Sequence, residues 1–245
     1  MTPRVKAVYR YAWLKNQVLA EGTVALLDAF AAAGIATMLL KGAALLPYYD
    51  DDFGRRPMDD FDVLVPADRA SEAIDVLVSA GLRPSFRTPP EQVKELYLHR
   101  ASGWGFDDGR GLEIDLHWHM LYASVTLRAD DDFWSAARAT EFRRRPTLVP
   151  HPSDLLLNVC AHGSYWNPVP PIRWVADAMM LLRRLGSSFD WDRLVSQTVK
   201  HRIRPRSGIA SGICASTSKH RCRPRSSARC VLRGRRSSSG SSIER

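Results

Sequence analysis

Residues 58–65 read MDDFDVLV and residues 112–119 read LEIDLHWH, and these two stretches decide the fold. In both of them apolar residues alternate with acidic or polar residues, which is the period of a β-strand that buries one face. Residues two apart in a strand point to the same side, so Asp60 and Asp62 are expected to share one face while the apolar residues next to them face the core. Asp115 occupies the polar face of the second strand. The sequence therefore predicts two strands that both present carboxylates.

Carboxylates in this arrangement indicate a metal site. Asp60 and Asp62 would lie side by side, and two like charges at that distance are costly unless a cation such as Mg²⁺ or Mn²⁺ neutralises them. Asp115 from a neighbouring strand would complete a two-metal site. Glu113 on the same face is the reserve ligand, whereas Asp59 points away if the strand is regular. The alternative is that these charges are simply solvated at a strand entrance.

The stretches before the first carboxylate strand predict a helix, a strand and a loop. Apolar residues follow helical spacing from about Val5 to Ala33, with a potential break near Gly22, and Gly34 is a typical helix stop. The apolar run IATMLLKG, residues 35–42, predicts a buried strand whose Lys-Gly end faces a ligand, and a short helix follows through AALLPYY. The charged stretch DDDFGRRPMDD contains Gly and Pro and is predicted to be a surface loop.

The rest of the ordered sequence continues this alternation. We expect a helix over residues 67–80, a helix at EQVKELYLHR and a strand at SGWGFDD that turns through Asp108-Gly109. From His151 onward the pattern is helical in DLLLNVCAHG, from Ile172 to Leu185 and in FDWDRLVSQTVK. The tryptophans of this part are interpreted as packing residues: Trp166, Trp174 and Trp191. The predicted organisation is a helical segment, a core, a helical region and a tail: residues 1–34, 35–150, 151–200 and 201–245.

The chain resembles the uncharacterised nucleotidyltransferase family, which belongs to the DNA polymerase β-like superfamily. The order and spacing of six pieces carry the likeness, which covers roughly residues 10–200: LLKGAALLPYY, RRPMDDFDVLV, DRASEAIDVLVSAGL, LEIDLHWHM, HPSDLLLNVCAHG and IRWVADAMMLL. The resemblance implies an α/β (α+β) fold in which helices flank a mixed sheet, with an N-terminal helix and a C-terminal helical region.

The resemblance also implies a reaction. Mg²⁺ would be bound by Asp60 and Asp62 and completed by Asp115, and the substrate would be an NTP, in the first instance ATP. One metal would hold the triphosphate, and the other would act on an acceptor hydroxyl that attacks the α-phosphate in line, with pyrophosphate leaving. Asp115 would be the ligand nearest that hydroxyl and would take its proton.

The phosphate-binding segment departs from the superfamily pattern. Similar proteins usually carry Gly-Ser after the first strand, whereas this chain has Lys41 and Gly42 followed by Ala43. Gly42 keeps the close backbone approach, and Lys41 is expected to contact the phosphates as a point charge in place of the missing hydroxyl. Arg56 is a second candidate for phosphate contact. The alternative for both cations is plain solvation at a strand end or loop.

Histidines near the carboxylates allow further interpretations. His117 shares a face with Asp115 and is expected to orient it, and His119 is expected to end the strand. The HxH pair also permits a metal-dependent hydrolase that uses Asp115, His117 and His119 with Zn²⁺ or Fe. His162 is interpreted as a capping or core histidine, with reach into the cleft as its alternative.

The charge of the chain is concentrated at its C-terminus. The formal charge is +9, but residues 201–245 hold 12 Lys and Arg against one acidic residue, which leaves 23 basic and 25 acidic residues in the body. This Arg/Ser-rich tail has no aromatic residue and no apolar period, so disorder is expected. Its abrupt start near residue 201 suggests a frameshift. A basic arm that binds RNA or DNA is the competing hypothesis, and the cysteines there are assigned no role: Cys214, Cys222 and Cys230.

The sequence leaves the location and the partners of the protein broadly defined. It shows no long apolar run and no signal-peptide pattern, so we expect a cytoplasmic protein that is not in a membrane. The acceptor would be a small molecule, a protein side chain or an RNA end. A non-catalytic, antitoxin-like or regulatory module with the same fold is the main alternative to an enzyme.

Overall fold

The structure is a computed structural model that describes residues 2–165 and 172–203. Trp166, the three tail cysteines and the Arg/Ser-rich tail beyond residue 203 lie outside these ranges, so the predictions about them stay predictions. Within the described residues, no helix combines the length and apolarity that crossing a membrane requires.

A seven-stranded mixed sheet forms the centre of the described part. Its strands are β1 (Met38–Leu39), β2 (Phe61–Leu64), β3 (Arg83–Pro84), β4 (Gly103–Asp107), β5 (Glu113–His117), β6 (Arg138–Phe142) and β7 (Arg145–Val149). They lie in the order β3-β4-β5-β2-β1-β7-β6. The two carboxylate strands, β2 and β5, are parallel neighbours, and β1 runs antiparallel to β2. The mixed sheet confirms the predicted fold class.

Helices cover both faces of this sheet. They are α1 (Pro3–Ala32), α2 (Lys41–Ala44), α3 (Ala70–Ser79), α4 (Pro90–Gln92), α5 (Asp131–Ser135), α6 (Pro152–Tyr165), α7 (Arg173–Leu185) and α8 (Trp191–Lys200). On one face, α1 and α3 pack on Phe61, Val63 and Ile114, which have at most 1% of their surface exposed. A side chain buried this completely contributes about 1.5–3 kcal/mol. On the other face, α6 packs on Met38, Leu40 and Leu64.

Gly22 does not interrupt the first helix. The helix α1 runs unbroken from Pro3 to Ala32, and a Cβ atom added to Gly22 would lie 2.6 Å from a methyl carbon of Leu112. The glycine is therefore explained by close packing between α1 and the segment that enters β5. The predicted break near Gly22 was wrong. A single glycine in a helix costs only about 1 kcal/mol relative to alanine, and tertiary packing outweighs that cost.

Several short elements differ from their predicted extent. The first strand spans only Met38–Leu39, and the helix predicted at EQVKELYLHR is one short turn, Pro90–Gln92, followed by a π-helical turn over Val93–Tyr97. The sequence did not indicate β3 or the hairpin of β6 and β7. The loop at residues 50–60 and the strands β2, β4 and β5 lie where they were predicted.

Candidate active site

The carboxylates of Asp62 and Asp115 lie on the same face of the sheet. In the parallel pairing of β2 with β5, Asp62 is the direct register partner of Asp115, and Leu64 is the partner of His117. Residues that are paired in this way point to the same side. Asp62, Asp115 and His117 offer three ligand atoms that all lie within 4.8 Å of one another. These three residues are called the carboxylate cluster below.

Two nitrogen groups contact the buried carboxylate of Asp62. The ammonium of Lys41 donates a hydrogen bond to Asp62 Oδ1, and His117 Nε2 lies 3.0 Å from the same oxygen. Lys41 Nζ lies 3.5 Å from His117 Nε2. His117 therefore contacts Asp62 rather than orienting Asp115 as the sequence suggested, because it lies two residues beyond Asp115 on the same face and so is a diagonal neighbour of Asp62.

The electrostatic consequence is a strongly ionised Asp62. Burial by itself would raise the pKa of this carboxyl group, but the Lys41 ammonium and the His117 ring outweigh it and hold the pKa well below its usual range. Burial acts in the opposite direction on an ammonium group and would lower the pKa of Lys41. The negative charges of Asp62, Asp115 and Asp60 outweigh burial and raise this pKa above its usual value. Lys41 and Asp62 thus form a buried ion pair inside the cluster.

Asp60 lies at the edge of this cluster rather than in it. It is partly buried and precedes β2, which begins at Phe61, so its backbone is a bend and not an extended strand. Burial, followed by the charges of Asp62 and Asp115, raises the pKa of Asp60 to about 7. Neighbouring Asp59 is exposed and forms ion pairs with Lys15 and more weakly with Arg173, in keeping with its omission from the predicted site.

Lys41 adopts a strained backbone conformation. Its φ angle is +37°, in the left-handed region that residues with a Cβ atom seldom enter. Lys41 is the first residue of α2, two positions after the last residue of β1, and its side chain reaches Asp62. Strained residues cluster at functional sites, where surrounding contacts hold them in place.

Gly42 and Arg56 contact each other beside the cluster. A Cβ atom on Gly42 would lie 2.8 Å from Arg56 Nη1 and 2.7 Å from the Met58 sulfur, so a larger residue here would displace these two side-chain ends. The guanidinium of Arg56 forms a two-pronged ion pair with Asp177 of α7, through Nε at 3.0 Å and Nη2 at 2.9 Å. A planar guanidinium fork of this kind matches the geometry of a carboxylate.

Asn16 holds the loop that leads to the cluster, and sequence reasoning missed it. This fully buried residue of α1 donates through Nδ2 to the carbonyl groups of Phe53 and Arg56, and its Oδ1 accepts from the backbone N–H of Met58. The only available signal was a polar residue on the apolar face of a predicted helix. Asn16 thereby fixes the loop whose end carries Asp60.

Two cavities meet at the cluster. One, of about 260 Å³, is bounded by α2, by the loop before β2 and by α6 and α7, and it is lined by charged residues that include Arg56, Asp60 and Arg173. The other, of about 150 Å³, lies between β4, β5 and α6 and reaches Asp115. Lys41 and His162 line both. We call them the charged cavity and the β4 cavity.

His162 and His119 lie in different environments, one exposed to the cleft and the other buried. His162 is exposed to the cleft, so the alternative interpretation of reach into the cleft agrees with the structure. Partial desolvation there, together with the Lys41 charge, lowers the pKa of His162 to about 4. His119 is buried, and its Nδ1 lies 2.6 Å from Asp130 Oδ2. It is not part of the carboxylate cluster, which weakens the Asp115-His117-His119 hydrolase hypothesis.

Comparison with known proteins assigns the chain to a family. A family model described as uncharacterised nucleotidyltransferase matches residues 3–217. The chain belongs to this nucleotidyltransferase family. The match includes the whole sheet, the cluster and the described helices, and a search of curated proteins gives no match.

Solved structures similar to this nucleotidyltransferase-family chain share its fold. The solution structure of the antibiotic-resistance factor ANT(2'')-Ia has a TM-score of 0.54 at 14% identity, covering 84% of this chain and 100% of that chain. The crystal structure of ANT(2'')-Ia in complex with adenylyl-2''-tobramycin has a TM-score of 0.50 at 14% identity, covering 74% and 97%. At this identity the likeness shows the fold alone.

Proposed function

We propose that the chain is a nucleotidyltransferase that depends on a divalent metal and moves a nucleoside monophosphate from an NTP, in the first instance ATP, to an acceptor hydroxyl. The observation that carries this proposal is the register pairing of Asp62 with Asp115 next to Lys41 and His117. The family supports the reaction class. The adenylyl-2''-tobramycin held by ANT(2'')-Ia supports an adenylyl donor.

The donor atoms of the cluster fit a divalent cation. Two carboxylates and one imidazole lie within 4.8 Å of one another, and carboxylate oxygens are the ligands that Mg²⁺ and Mn²⁺ prefer. Asp62 and Asp115 would hold the cation, with Asp60 beside them. The metal would supply positive charge that offsets the negative charge of the triphosphate.

The protein's own residues would bind and orient the two substrates. The charged cavity offers Lys41, the free edge of the Arg56 guanidinium and Arg173 to the phosphates, and Gly42 leaves room for their approach. Asp115 borders the β4 cavity and would accept the proton of the acceptor hydroxyl. The neutral His162 ring would separate the two cavities without adding charge.

The test is metal-dependent turnover by the full-length chain. With α-labelled ATP and Mg²⁺ we expect release of pyrophosphate and transfer of label. Asp62→Asn and Asp115→Asn should each lower the rate at least about 100-fold, because a removed ligand weakens the electrostatic stabilisation of the transition state. Asp59→Asn and Glu113→Gln are matched controls, since both are exposed acids in the same segments, and they should stay within about threefold.

Binding measurements make this test independent of the acceptor. Calorimetric titration with Mn²⁺ should show a site that Asp62→Asn removes and that Glu113→Gln keeps. If the double variant Asp62→Asn/Asp115→Asn turned over ATP as fast as the parent, the proposal would be wrong. Tight binding of ATP and Mn²⁺ with no turnover on any acceptor would favour the non-catalytic module instead, and Zn²⁺ or Fe retained through purification would favour the hydrolase.

A further inference from the structure

Helix α1 is apolar on two opposite faces. Its buried face packs into the core through residues such as Leu19 and Leu27. The other face leaves Tyr11, Leu14 and Val18 exposed by 71%, 61% and 54%. A surface helix of a globular protein is ordinarily apolar on one side only, and a contiguous apolar patch marks an interaction surface. The outer face of α1 therefore indicates a second packing partner.

The residues on this outer face repeat in alternating steps of three and four positions. Six exposed residues make up the series: Arg4, Ala7, Tyr11, Leu14, Val18 and Glu21. At 100° per residue they occupy a sector of about 100° on the side of α1 that faces away from the core. Steps of three and four are the heptad spacing of helices that pair with another helix. These six residues are called the α1 seam below.

The apolar middle of the α1 seam is complementary to a reversed copy of itself. If a second copy runs antiparallel about a two-fold axis between residues 12 and 13, Tyr11 lies opposite Leu14 of that copy. The small Ala7 then lies opposite the larger Val18. Large side chains thus meet smaller ones along the pair, which is the condition for close helix packing.

The charged ends of the α1 seam determine the direction of pairing. In an antiparallel pair, Arg4 of each copy lies opposite Glu21 of the other, whereas a parallel pair would bring like charges together at both ends. Arg143 binds Oε1 of Glu21, but Oε2 has no hydrogen bond or ion pair within the described residues. Exposed ion pairs add little affinity, so the apolar middle supplies the stability and the charged ends select the direction.

From this spacing and this order of charges we infer that α1 is a homodimer interface, in which the α1 helices of two copies pair antiparallel along the α1 seam. The seam extends over residues 4–21, a length of roughly 26 Å. The core-facing side of α1 lies away from the seam, so the two protein bodies stand on the outer sides of the helix pair. This inference does not depend on the proposed function.

The experiment is sedimentation velocity on the full-length protein under reducing conditions. We expect a monomer–dimer equilibrium with a dissociation constant on the order of 10 μM, because one helix pair is smaller than a standard interface. Leu14→Gln removes an apolar side chain from both copies and should raise this constant at least about 100-fold. Val5→Gln is the matched control, since Val5 is an exposed valine of α1 outside the seam, and it should change the constant less than about threefold. Circular dichroism verifies that both variants fold.

A charge reversal tests the antiparallel direction. Arg4→Glu places two glutamates opposite each other at each end of an antiparallel pair, so at low salt it should raise the dissociation constant about tenfold. At about 0.5 M NaCl the difference from the parent should shrink, because salt screens exposed charges. In a parallel pair the same variant would replace one like-charge contact by another and leave the constant unchanged. Glutamate near a helix N-terminus is favourable, so loss of α1 would not explain a weaker dimer.

Further outcomes separate this dimer from other kinds of association. Val195→Gln/Val199→Gln changes exposed valines of α8 and should leave the dimer in place. A parent protein that stays monomeric at every concentration would overturn the inference, as would equal dimerisation of the parent and Leu14→Gln, or an Arg4→Glu variant that dimerises like the parent at low salt. If the parent were monomeric and bound phosphatidylserine vesicles while Leu14→Gln did not, the outer face of α1 would be a membrane-binding surface instead.

Discussion

The raised pKa of Asp60 reflects an excess of negative charge in the candidate site. Three carboxylates, Asp60, Asp62 and Asp115, share the single ammonium of Lys41 in this corner of the protein. Asp62 accepts a direct hydrogen bond from that ammonium, so the negative charge of Asp62 is compensated. Asp60 is left partly buried beside two negative charges, and this raises its pKa to about 7.

The raised pKa of Asp60 predicts how stability depends on pH. Its pKa rises from 3.8 to about 7 on folding, so the folded protein holds a proton that the unfolded chain releases between these values. Stability from this group is full below about pH 4 and is lost as the pH rises through 7. In EDTA at pH 8, Asp60→Asn should therefore be more stable than the parent, by at least about 1 kcal/mol.

Denaturant unfolding at pH 5 and pH 8 measures this effect. The gap between Asp60→Asn and the parent should shrink at pH 5, where Asp60 already carries its proton. Asp59→Asn is the control, because its Lys15 ion pair lowers the pKa of Asp59 and the substitution should not stabilise the protein at either pH. Parallel pH curves for the parent and Asp60→Asn would contradict the assignment.

Sequence reasoning identified the acidic residues of the site better than their partners. Strand alternation is local, so it predicted that Asp62 and Asp115 each lie on the polar face of their own strand, and the register pairing puts both on the same side of the sheet. The partners depend on tertiary distances. The reach of Lys41 to Asp62, the pairing of Arg56 with α7 and the loop contacts of Asn16 span 21 to 121 residues of chain, and no local pattern encodes them.

At the scale of elements, the hairpin of β6 and β7 shows why some strands were not predicted. Its two turn residues, Arg143 and Arg144, both have positive φ angles, at 48° and 65°. Such turns usually carry Asn-Gly, which is the signal that sequence reasoning seeks. Here Arg143 is held instead by contacts with α1, where its guanidinium reaches Gln17 and Glu21, and it lies over the Phe53 ring.

The strained turn predicts a stabilising substitution. Arg144 is exposed, and a left-handed conformation costs a residue with a Cβ atom about 1–2 kcal/mol. Arg144→Gly should raise the free energy of unfolding by about 1 kcal/mol. Urea denaturation checks this, with Arg144→Ala as the control that removes the same side chain and keeps the strain. Equal stability of the two variants would show that the backbone strain is not relieved.

At the scale of the whole molecule, the last described helix exposes apolar side chains to solvent. Helix α8 exposes a stripe of Trp191, Val195 and Val199, and the last of these is 72% exposed, whereas Gln197 of the same helix is buried. Trp191 was interpreted as a packing residue, and it contacts only Phe189 among the aromatic pairs of the described residues. The frameshift hypothesis predicts a stripe of this kind, because a tail that is read out of frame would not supply the segments that should pack on this helix.

The α8 stripe predicts self-association of the purified protein. Burial of exposed valines gains about 1.5–3 kcal/mol for each side chain, so light scattering should grow steeply with concentration. The double variant Val195→Gln/Val199→Gln should reduce the scattering severalfold without altering the circular dichroism spectrum. Leu127→Gln, which changes an exposed leucine outside this stripe, should not. Scattering that is equal in all three proteins would exclude the stripe as the cause.

The fold as a whole was predictable because its parts agree with one another. Alternating strands and helical periods indicated strands and helices in this order, and the family resemblance implied a mixed sheet with flanking helices, which the structure confirms. What could not be predicted were an element as short as β3 and the fact that the first strand spans only the two residues of β1. Elements this short exist because their neighbours supply the hydrogen bonds, and they carry no period of their own.

The parallel pairing of β2 with β5 also determines where the chain tolerates a change in length. An extra residue in the turn at positions 108–111 would enlarge a surface loop and leave the pairing intact. The same insertion between Glu113 and Asp115 would turn every later side chain of β5 to the opposite face, so the carboxylate would enter the apolar layer and Ile114 or its replacement would enter the cleft. Insertions and deletions among functional relatives should therefore occur in the turn at positions 108–111 and should be absent from β5, which begins at Glu113.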